Sequence, residues 1–153
     1  MARLAFLALC LIALAAGSGS ASGAARACAP TPPDALGPFY ESGASVRSKV
    51  GSGGYVLSGR VKAARTCRAL GRARIELWLV NGQGEYDDAH RATVFSSGTG
   101  RYRFESNRPI GYEGRPPHIH LRVTARGFRT LVTQHYPRGS RTTATFNLVL
   151  KRR

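Results

Sequence analysis

From residue 55 onward, hydrophobic residues recur at every second position in short runs. In one run Ile75, Leu77 and Leu79 alternate with Arg74, Glu76 and other residues, and this period of two predicts a β-strand with one apolar face. Turn-forming segments separate seven such runs, at residues 55–62, 73–80, 91–95, 101–105, 118–124, 128–136 and 142–150. No amphipathic helical segment interrupts them. The pattern predicts an all-β fold, an antiparallel two-sheet β-sandwich of about seven to eight strands.

The segment before the first predicted strand has a different character. Residues 28–54 are rich in Pro, Gly and Ser and show no sustained periodicity, which indicates an irregular N-terminal arm. Residues 36–40, Leu-Gly-Pro-Phe-Tyr, form an aromatic turn that we expect to pack on the domain. The predicted domain organisation is therefore an arm at 28–54 followed by the sandwich at 55–151.

The first 27 residues have the composition of an export signal. Arg3 precedes an apolar run at 4–16, and small residues continue to Ala27. The run is shorter than the about 20 residues needed to span a bilayer, so it predicts a signal peptide at 1–27, with cleavage after Ala15, Gly23 or Ala27. We therefore expect an exported protein, periplasmic or secreted, with no transmembrane segment in the mature chain.

Removal of the signal leaves two cysteines, Cys28 and Cys67. In an oxidising compartment an even number of cysteines favours a disulfide. A bond between these two would tie the arm to the domain and contribute about 2–4 kcal/mol. Two inert thiols, or a lipid anchor on Cys28, are the alternatives.

The chain is strongly basic, with 23 Lys and Arg residues against 8 Asp and Glu and a formal net charge of +15. Such an excess attracts anions of many kinds, including polyphenols and small aromatic acids. The basic residues are scattered through strands and turns and form no continuous run, so no specific nucleic-acid groove is expected. An oligomer is compatible with the sequence.

Two histidines stand on one face of a predicted strand. His118 and His120 share that face, about 7 Å apart at their backbones, while the opposite face carries Ile119, Leu121 and Val123. The simplest interpretation of such a pair is two solvated or hydrogen-bonded histidines. A pair on a strand whose other face belongs to the core is also a candidate to bind one metal ion.

The residues around the histidine pair narrow the choice of metal. Pro116 and Pro117 form a stiff extended approach, and Tyr112 lies on it. The nearby sequence offers no Cys, and Glu113 is its one carboxylate. A phenolate from tyrosine is a hard, strongly donating ligand that favours ferric over ferrous iron.

A set of motifs resembles the intradiol ring-cleavage dioxygenases, the catechol and protocatechuate 3,4-dioxygenase type. The resemblance extends over about residues 28–150, and the run Arg-Pro-Pro-His-Ile-His is its most specific part. The motifs are Gly59-Arg-Val, Glu76-Leu-Trp, Asn81-x-x-Gly84-x-Tyr86-Asp, Gly100-Arg-Tyr-Arg-Phe, Tyr112-x-Gly-Arg-Pro-Pro-His-Ile-His and Thr133-Gln-x-Tyr136.

The resemblance implies a ligand set and a reaction. In that family two tyrosines and two histidines hold a non-haem Fe(III) ion, and the matching residues are Tyr86, Tyr112, His118 and His120. The implied reaction cleaves a small aromatic diol with O2 to a cis,cis-muconate-type product, without an organic cofactor. Three residues would act in catalysis: Arg115 would stabilise charge on the ring, Gln134 would lie near it, and Tyr112 would leave the iron and accept a substrate proton.

The family comparison also leaves questions open. The chain is shorter than members of both branches, and no match to the N-terminal helical dimerisation region of the catechol 1,2-dioxygenase branch is expected. Which catechol is the substrate therefore stays open. Two other functions are compatible with the sequence: a β-sandwich module that binds phenols, catecholates or a metal without cleaving them, and a transthyretin-like structural module.

Overall fold

The structure, a computed structural model, describes residues 29–153. Within this part of the chain eight strands form two four-stranded sheets, which confirms the predicted all-β sandwich of seven to eight strands. The strands are β1 (Tyr55–Ala63), β2 (Arg74–Trp78), β3 (Arg91–Phe95), β4 (Arg101–Ser106), β5 (Ile119–Thr124), β6 (Leu131–His135), β7 (Thr143–Thr145) and β8 (Leu148–Leu150). One turn of 3-10 helix, Asp88–His90, precedes β3.

The predicted signal peptide and Cys28 lie outside the described residues. The disulfide between Cys28 and Cys67 therefore stays a prediction. Cys67 itself is exposed, in the turn that follows β1. None of the helices within residues 29–153 is long and apolar enough to cross a lipid bilayer.

The first sheet is built around β1 and is not purely antiparallel. β4 pairs antiparallel with β1, whereas β7 and β8 both pair parallel with it, at Val56–Ser58 and at Val61–Ala63. The prediction of a single strand at 142–150 is thus wrong, because the structure divides this segment at Phe146 and Asn147. The backbone there passes so close to Gly59 that a Cβ on this glycine would lie 2.2 Å from the Phe146 carbonyl oxygen.

The second sheet has the strand order β3-β2-β5-β6 and is antiparallel throughout. Its last strand, predicted at 128–136, is shorter in the structure because residues 125–128 form a turn, closed by a hydrogen bond from Phe128 N to Ala125 O at 3.1 Å. The apolar residues of both sheets face each other and form one core. Ile75 and Ile119 are completely buried within it.

The register of this sheet places four polar or aromatic residues in one row. Arg91 pairs with Trp78, Trp78 with His120, and His120 with Gln134. Paired residues on neighbouring strands point to the same side of a sheet. This cross-strand row lies on the face away from the apolar core, one step from the paired core residues Leu77 and Leu121.

The N-terminal arm crosses that outer face without forming a strand. It contacts β6 through a hydrogen bond from Asp34 N to Val132 O, at 2.9 Å, and reaches β3 through a bridge between Val46 and Thr93. Between these points it passes over the cross-strand row. The row is therefore enclosed between the sheet and the arm.

Candidate metal centre

Two phenol oxygens and two imidazole nitrogens meet above the second sheet. Tyr86 Oη lies 2.9 Å from Tyr112 Oη and 3.1 Å from His120 Nε2. His118 Nε2 lies 3.1 Å from His120 Nε2. The structure thus brings together the four side chains that were predicted as metal ligands, although they are separated by up to 34 residues.

Local structure holds each of these side chains in place. His120 is the second residue of β5, and His118 directly precedes that strand. Tyr86 follows a loop closed by Asn81, whose side-chain oxygen accepts a hydrogen bond from Glu85 N at 3.1 Å. Tyr112 begins a tight turn in which Arg115 N donates to Tyr112 O at 2.8 Å.

The spacing of the four atoms fits a single metal ion. Two ligand atoms that each lie about 2.1 Å from a metal at right angles are about 3.0 Å apart, close to the distances found here. The tautomer of His118 also fits, because its Nδ1 lies 2.7 Å from the Pro116 carbonyl oxygen. A carbonyl oxygen accepts only, so Nδ1 carries the proton and Nε2 keeps its lone pair for a metal.

The electrostatics favour neutral imidazoles. Burial, followed by the nearby charges of His118 and Arg115, lowers the pKa of His120 to about 4. Burial also lowers the pKa of His118. Both rings are therefore neutral at neutral pH and able to donate a lone pair.

The tyrosines need a cation before they can ionise. Burial and the hydrogen bond with Tyr112 raise the pKa of Tyr86 far above its ordinary value, against a smaller opposing effect of Arg115. A buried phenolate would cost too much free energy without a compensating positive charge. A highly charged metal ion beside Tyr86 Oη would supply that charge.

The donor set restricts which metal would bind. Among residues 29–153, no group of three or more His, Cys, Asp or Glu side chains converges on one point. The two-histidine, one-carboxylate arrangement typical of ferrous oxygenases is therefore not offered by the described part of the chain. In this site phenol oxygens, and not carboxylate oxygens, lie beside the two imidazoles.

Known proteins resemble this chain in sequence. The chain is 30% identical to catechol 1,2-dioxygenase of Candida albicans over an aligned stretch that covers 66% of this chain and 45% of the relative. It is 36% identical to hydroxyquinol 1,2-dioxygenase of Rhodococcus opacus over a stretch that covers 44% of this chain and 31% of that relative. The chain thus spans less than half the length of these two curated relatives.

A solved structure matches over its whole length. The dioxygenase domain of a dioxygenase and carbohydrate-binding protein fusion from Streptomyces sp. SirexAA-E superimposes with a TM-score of 0.72 and 27% sequence identity. The match covers 81% of this chain and 99% of that domain. The chain belongs to the intradiol ring-cleavage dioxygenase family. No protein-family model matches it.

Two further residues that the sequence predicts for the site lie beside the four candidate ligands. Arg115 Nη2 donates to Gln134 Oε1 at 2.8 Å. The same oxygen accepts a hydrogen bond from Tyr136 Oη at 2.9 Å, and Gln134 Nε2 donates to the Ala35 carbonyl at 2.7 Å. Gln134 thus contacts Arg115, Tyr136 and the arm, which makes it a positioning residue for the guanidinium of Arg115.

Aromatic rings that the sequence did not assign to the site surround the candidate metal centre. Trp78 stacks on His120, with ring centroids 4.9 Å apart and an interplanar angle of 5°. Phe39 of the arm stacks on Tyr86 at 4.6 Å and 19°. The aromatic turn at 36–40 and the Glu76-Leu-Trp motif were the signals for these contacts, but the strand register was needed to locate them.

The arm is fixed above the site by two polar anchors. The buried guanidinium of Arg91 donates to the Phe39 carbonyl at 2.6 Å and to Glu41 Oε1 at 3.0 Å. Tyr40 Oη donates to Glu76 Oε1 at 3.2 Å, so this tyrosine is a packing anchor and lies against Trp78. The arm therefore covers the site and forms one of its walls.

Proposed function

We propose that the chain holds a ferric ion through Tyr86, Tyr112, His118 and His120, and cleaves a catechol-type aromatic diol with O2 to a cis,cis-muconate-type product. The observation that carries this proposal is the meeting of two phenol oxygens and two imidazole nitrogens at 2.9–3.1 Å. Membership of the intradiol family supports it, because the two curated relatives described above are named for the cleavage of such diols.

The proposed roles follow from position. A ferric ion bound by these ligands supplies the Lewis acidity that favours an ionised diol and makes its ring reactive toward O2. Tyr112 lies in a turn outside the sheet, so it is the ligand that would give way to the diol, and its Oη would accept a hydroxyl proton. Tyr86 stays in place because Phe39 stacks on it.

Arg115 and the arm that covers the site contribute to the rest of the reaction. Arg115, held by Gln134, places a positive charge where negative charge develops on the substrate ring. Trp78 and the arm residues exclude water from the histidine side of the site. Since the electrons for cleavage come from the diol and the oxidant is O2, no organic cofactor is needed.

We also propose that the enzyme acts outside the cytoplasm, on extracytoplasmic aromatic diols. The basis is the signal-like pattern at residues 1–27. Cell fractionation of a strain that expresses the full sequence would test this, with the protein expected in the periplasmic or secreted fraction. Its recovery in the cytoplasm at full length would contradict the proposal.

The experiment for the reaction combines iron loading, spectroscopy and oxygen uptake. Protein purified with iron should show a visible absorption band from tyrosinate bound to ferric iron, and should consume O2 with catechols. 1,4-Dihydroxybenzene is the matched control substrate, because its hydroxyls are not adjacent and cannot both bind one metal.

Matched variants assign the metal ligands. His118→Ala should lose iron, because one of four protein ligands is removed. His135→Gln is the control, since His135 lies on the other face of β6, and it should retain iron. Iron at full occupancy in His118→Ala would contradict the ligand assignment, and a coloured protein that consumes neither catechol nor O2 would favour a binding module instead.

A further inference from the structure

A second cavity, of about 400 Å³, lies at the open edge of the sandwich, where β6 of one sheet faces β1 and β7 of the other. It borders the candidate metal centre, because Gln134 and Tyr136 line the cavity and also lie beside Arg115. The next residue along the strand after Gln134, His135, lines the cavity and pairs with the core residue Ile119. None of the four candidate metal ligands lines the cavity, so its inner wall is distinct from the proposed iron site.

Flat rings form the inner wall of this cavity. Tyr55 and His135 stack with centroids 6.0 Å apart, and Tyr55 Oη lies 2.7 Å from His135 Nε2. The Phe146 ring lies 5.3 Å from that of His135. Burial lowers the pKa of His135 to about 4, so the wall is uncharged at neutral pH and suits a planar apolar ligand.

Positive charge forms the outer rim. Arg138 and Arg141 line the cavity and are exposed, and no Asp or Glu is among its lining residues. Within residues 29–153 neither guanidinium makes a salt bridge to a carboxylate of the chain. Arg108 steadies this rim segment, because its guanidinium donates to the Gly139 and Arg141 carbonyls and lies 5.8 Å above the Tyr55 ring.

We propose that this cavity binds a small aromatic carboxylate, with the ring against Tyr55, His135 and Phe146 and the carboxylate at Arg138 and Arg141. Guanidinium groups bind carboxylates through paired, charge-assisted hydrogen bonds. The cavity volume falls in the range of small-molecule sites. The proposal does not depend on the metal centre, since none of the four candidate ligands lines the cavity.

Binding of 4-fluorobenzoate to the iron-loaded protein tests the proposal. Titration calorimetry and ¹⁹F NMR should detect binding, and the ring protons of His135 should shift in the ¹H spectrum. The visible band should not change, because the ligand does not reach the iron. 4-Fluorobenzyl alcohol has the ring without the charge and acetate has the charge without the ring, so both should bind at least about tenfold more weakly.

Two double variants that each remove two positive charges distinguish a specific carboxylate site from nonspecific electrostatic attraction of the anion. Arg138→Gln/Arg141→Gln should weaken 4-fluorobenzoate binding at least about tenfold. Arg126→Gln/Arg129→Gln removes two exposed arginines elsewhere and should change it less than about twofold. Equal affinity of the two double variants would overturn the proposal, as would a shift of the visible band in parallel with binding.

The outcome is distinguishable from failure of the proposed reaction. If the protein binds no iron, the same titration on metal-free protein still reports on the cavity through His135. Binding that is lost in Arg138→Gln/Arg141→Gln would then support the aromatic carboxylate site alone. Binding that persists there at wild-type affinity would refute it, whatever the iron content.

Discussion

A single methyl group at Gly37 should report whether the arm presses on His120, one of the proposed metal ligands. Gly37 has φ of +75°, and a Cβ built there would lie 3.0 Å from His120 Cε1. The imidazole cannot move away easily because Trp78 stacks on its plane at 4.9 Å. Gly37→Ala should therefore lift the arm or displace the ring.

Gly43→Ala is the matched control for this change. Gly43 lies on the same arm with φ of +87°, but a Cβ there would meet nothing within 4 Å. Both variants carry the left-handed backbone cost of about 1–2 kcal/mol, partly offset by about 0.4–1 kcal/mol from the stiffer unfolded chain. Overpacking against His120 should cost Gly37→Ala about 1–3 kcal/mol more.

Thermal unfolding followed by circular dichroism measures the difference. For a domain of this size each kcal/mol corresponds to about 3–6 °C in Tm, so Gly37→Ala should unfold several degrees below Gly43→Ala. The iron-loaded protein should also show a shifted visible band in Gly37→Ala only. Equal Tm values and identical spectra for the two variants would refute the contact between arm and histidine.

Four other outcomes are expected. Glu76→Gln should destabilise the fold by about 2–4 kcal/mol, because this buried carboxylate accepts hydrogen bonds from Arg122 and Tyr40 and forms an ion pair with Arg74, whereas Glu105→Gln should leave denaturant unfolding unchanged. Burial lowers the pKa of His135 from 6.5 to about 4, so the His135 imidazole is protonated more readily in the unfolded chain than in the folded protein. Stability relative to His135→Gln, measured by urea unfolding, should thus fall by about 3 kcal/mol between pH 6.5 and pH 4 and stay level above pH 7. The fluorescence of Trp78, the single tryptophan, should be quenched as ferric iron binds, and a titration without quenching would count against iron at His120. Tyr112→Phe should alter the visible band and slow O2 uptake while retaining some iron, so an unchanged spectrum would mean that Tyr112 is not a ligand.

The strands could be predicted from sequence because alternation is a local signal. The apolar face of β5 and the histidine pair opposite it follow directly from a period of two. The break between β7 and β8 could not be predicted in the same way, because it depends on the contact between Gly59 and the Phe146 carbonyl, 87 residues away. Non-local contacts of that kind do not change the hydrophobic periodicity of the sequence.

The candidate site shows the same division. The four proposed ligands were identified from the motifs, but the stacking of Trp78 on His120 and of Phe39 on Tyr86 required the sheet register and the path of the arm. The arginine that holds the arm, Arg91, gave no signal of its own in the sequence. Its role appears only when β3 is placed beside β2.

The cross-strand row has a consequence for how this protein can change over time. Its members alternate, residue by residue, with the side chains that hold the two sheets together, so a shift of one position in the register of β5 would exchange His120 for Leu121 and disrupt both the candidate site and the core. Substitutions in the neighbouring loops and the arm leave this register intact. We therefore expect changes there to alter the proposed site without loss of the fold.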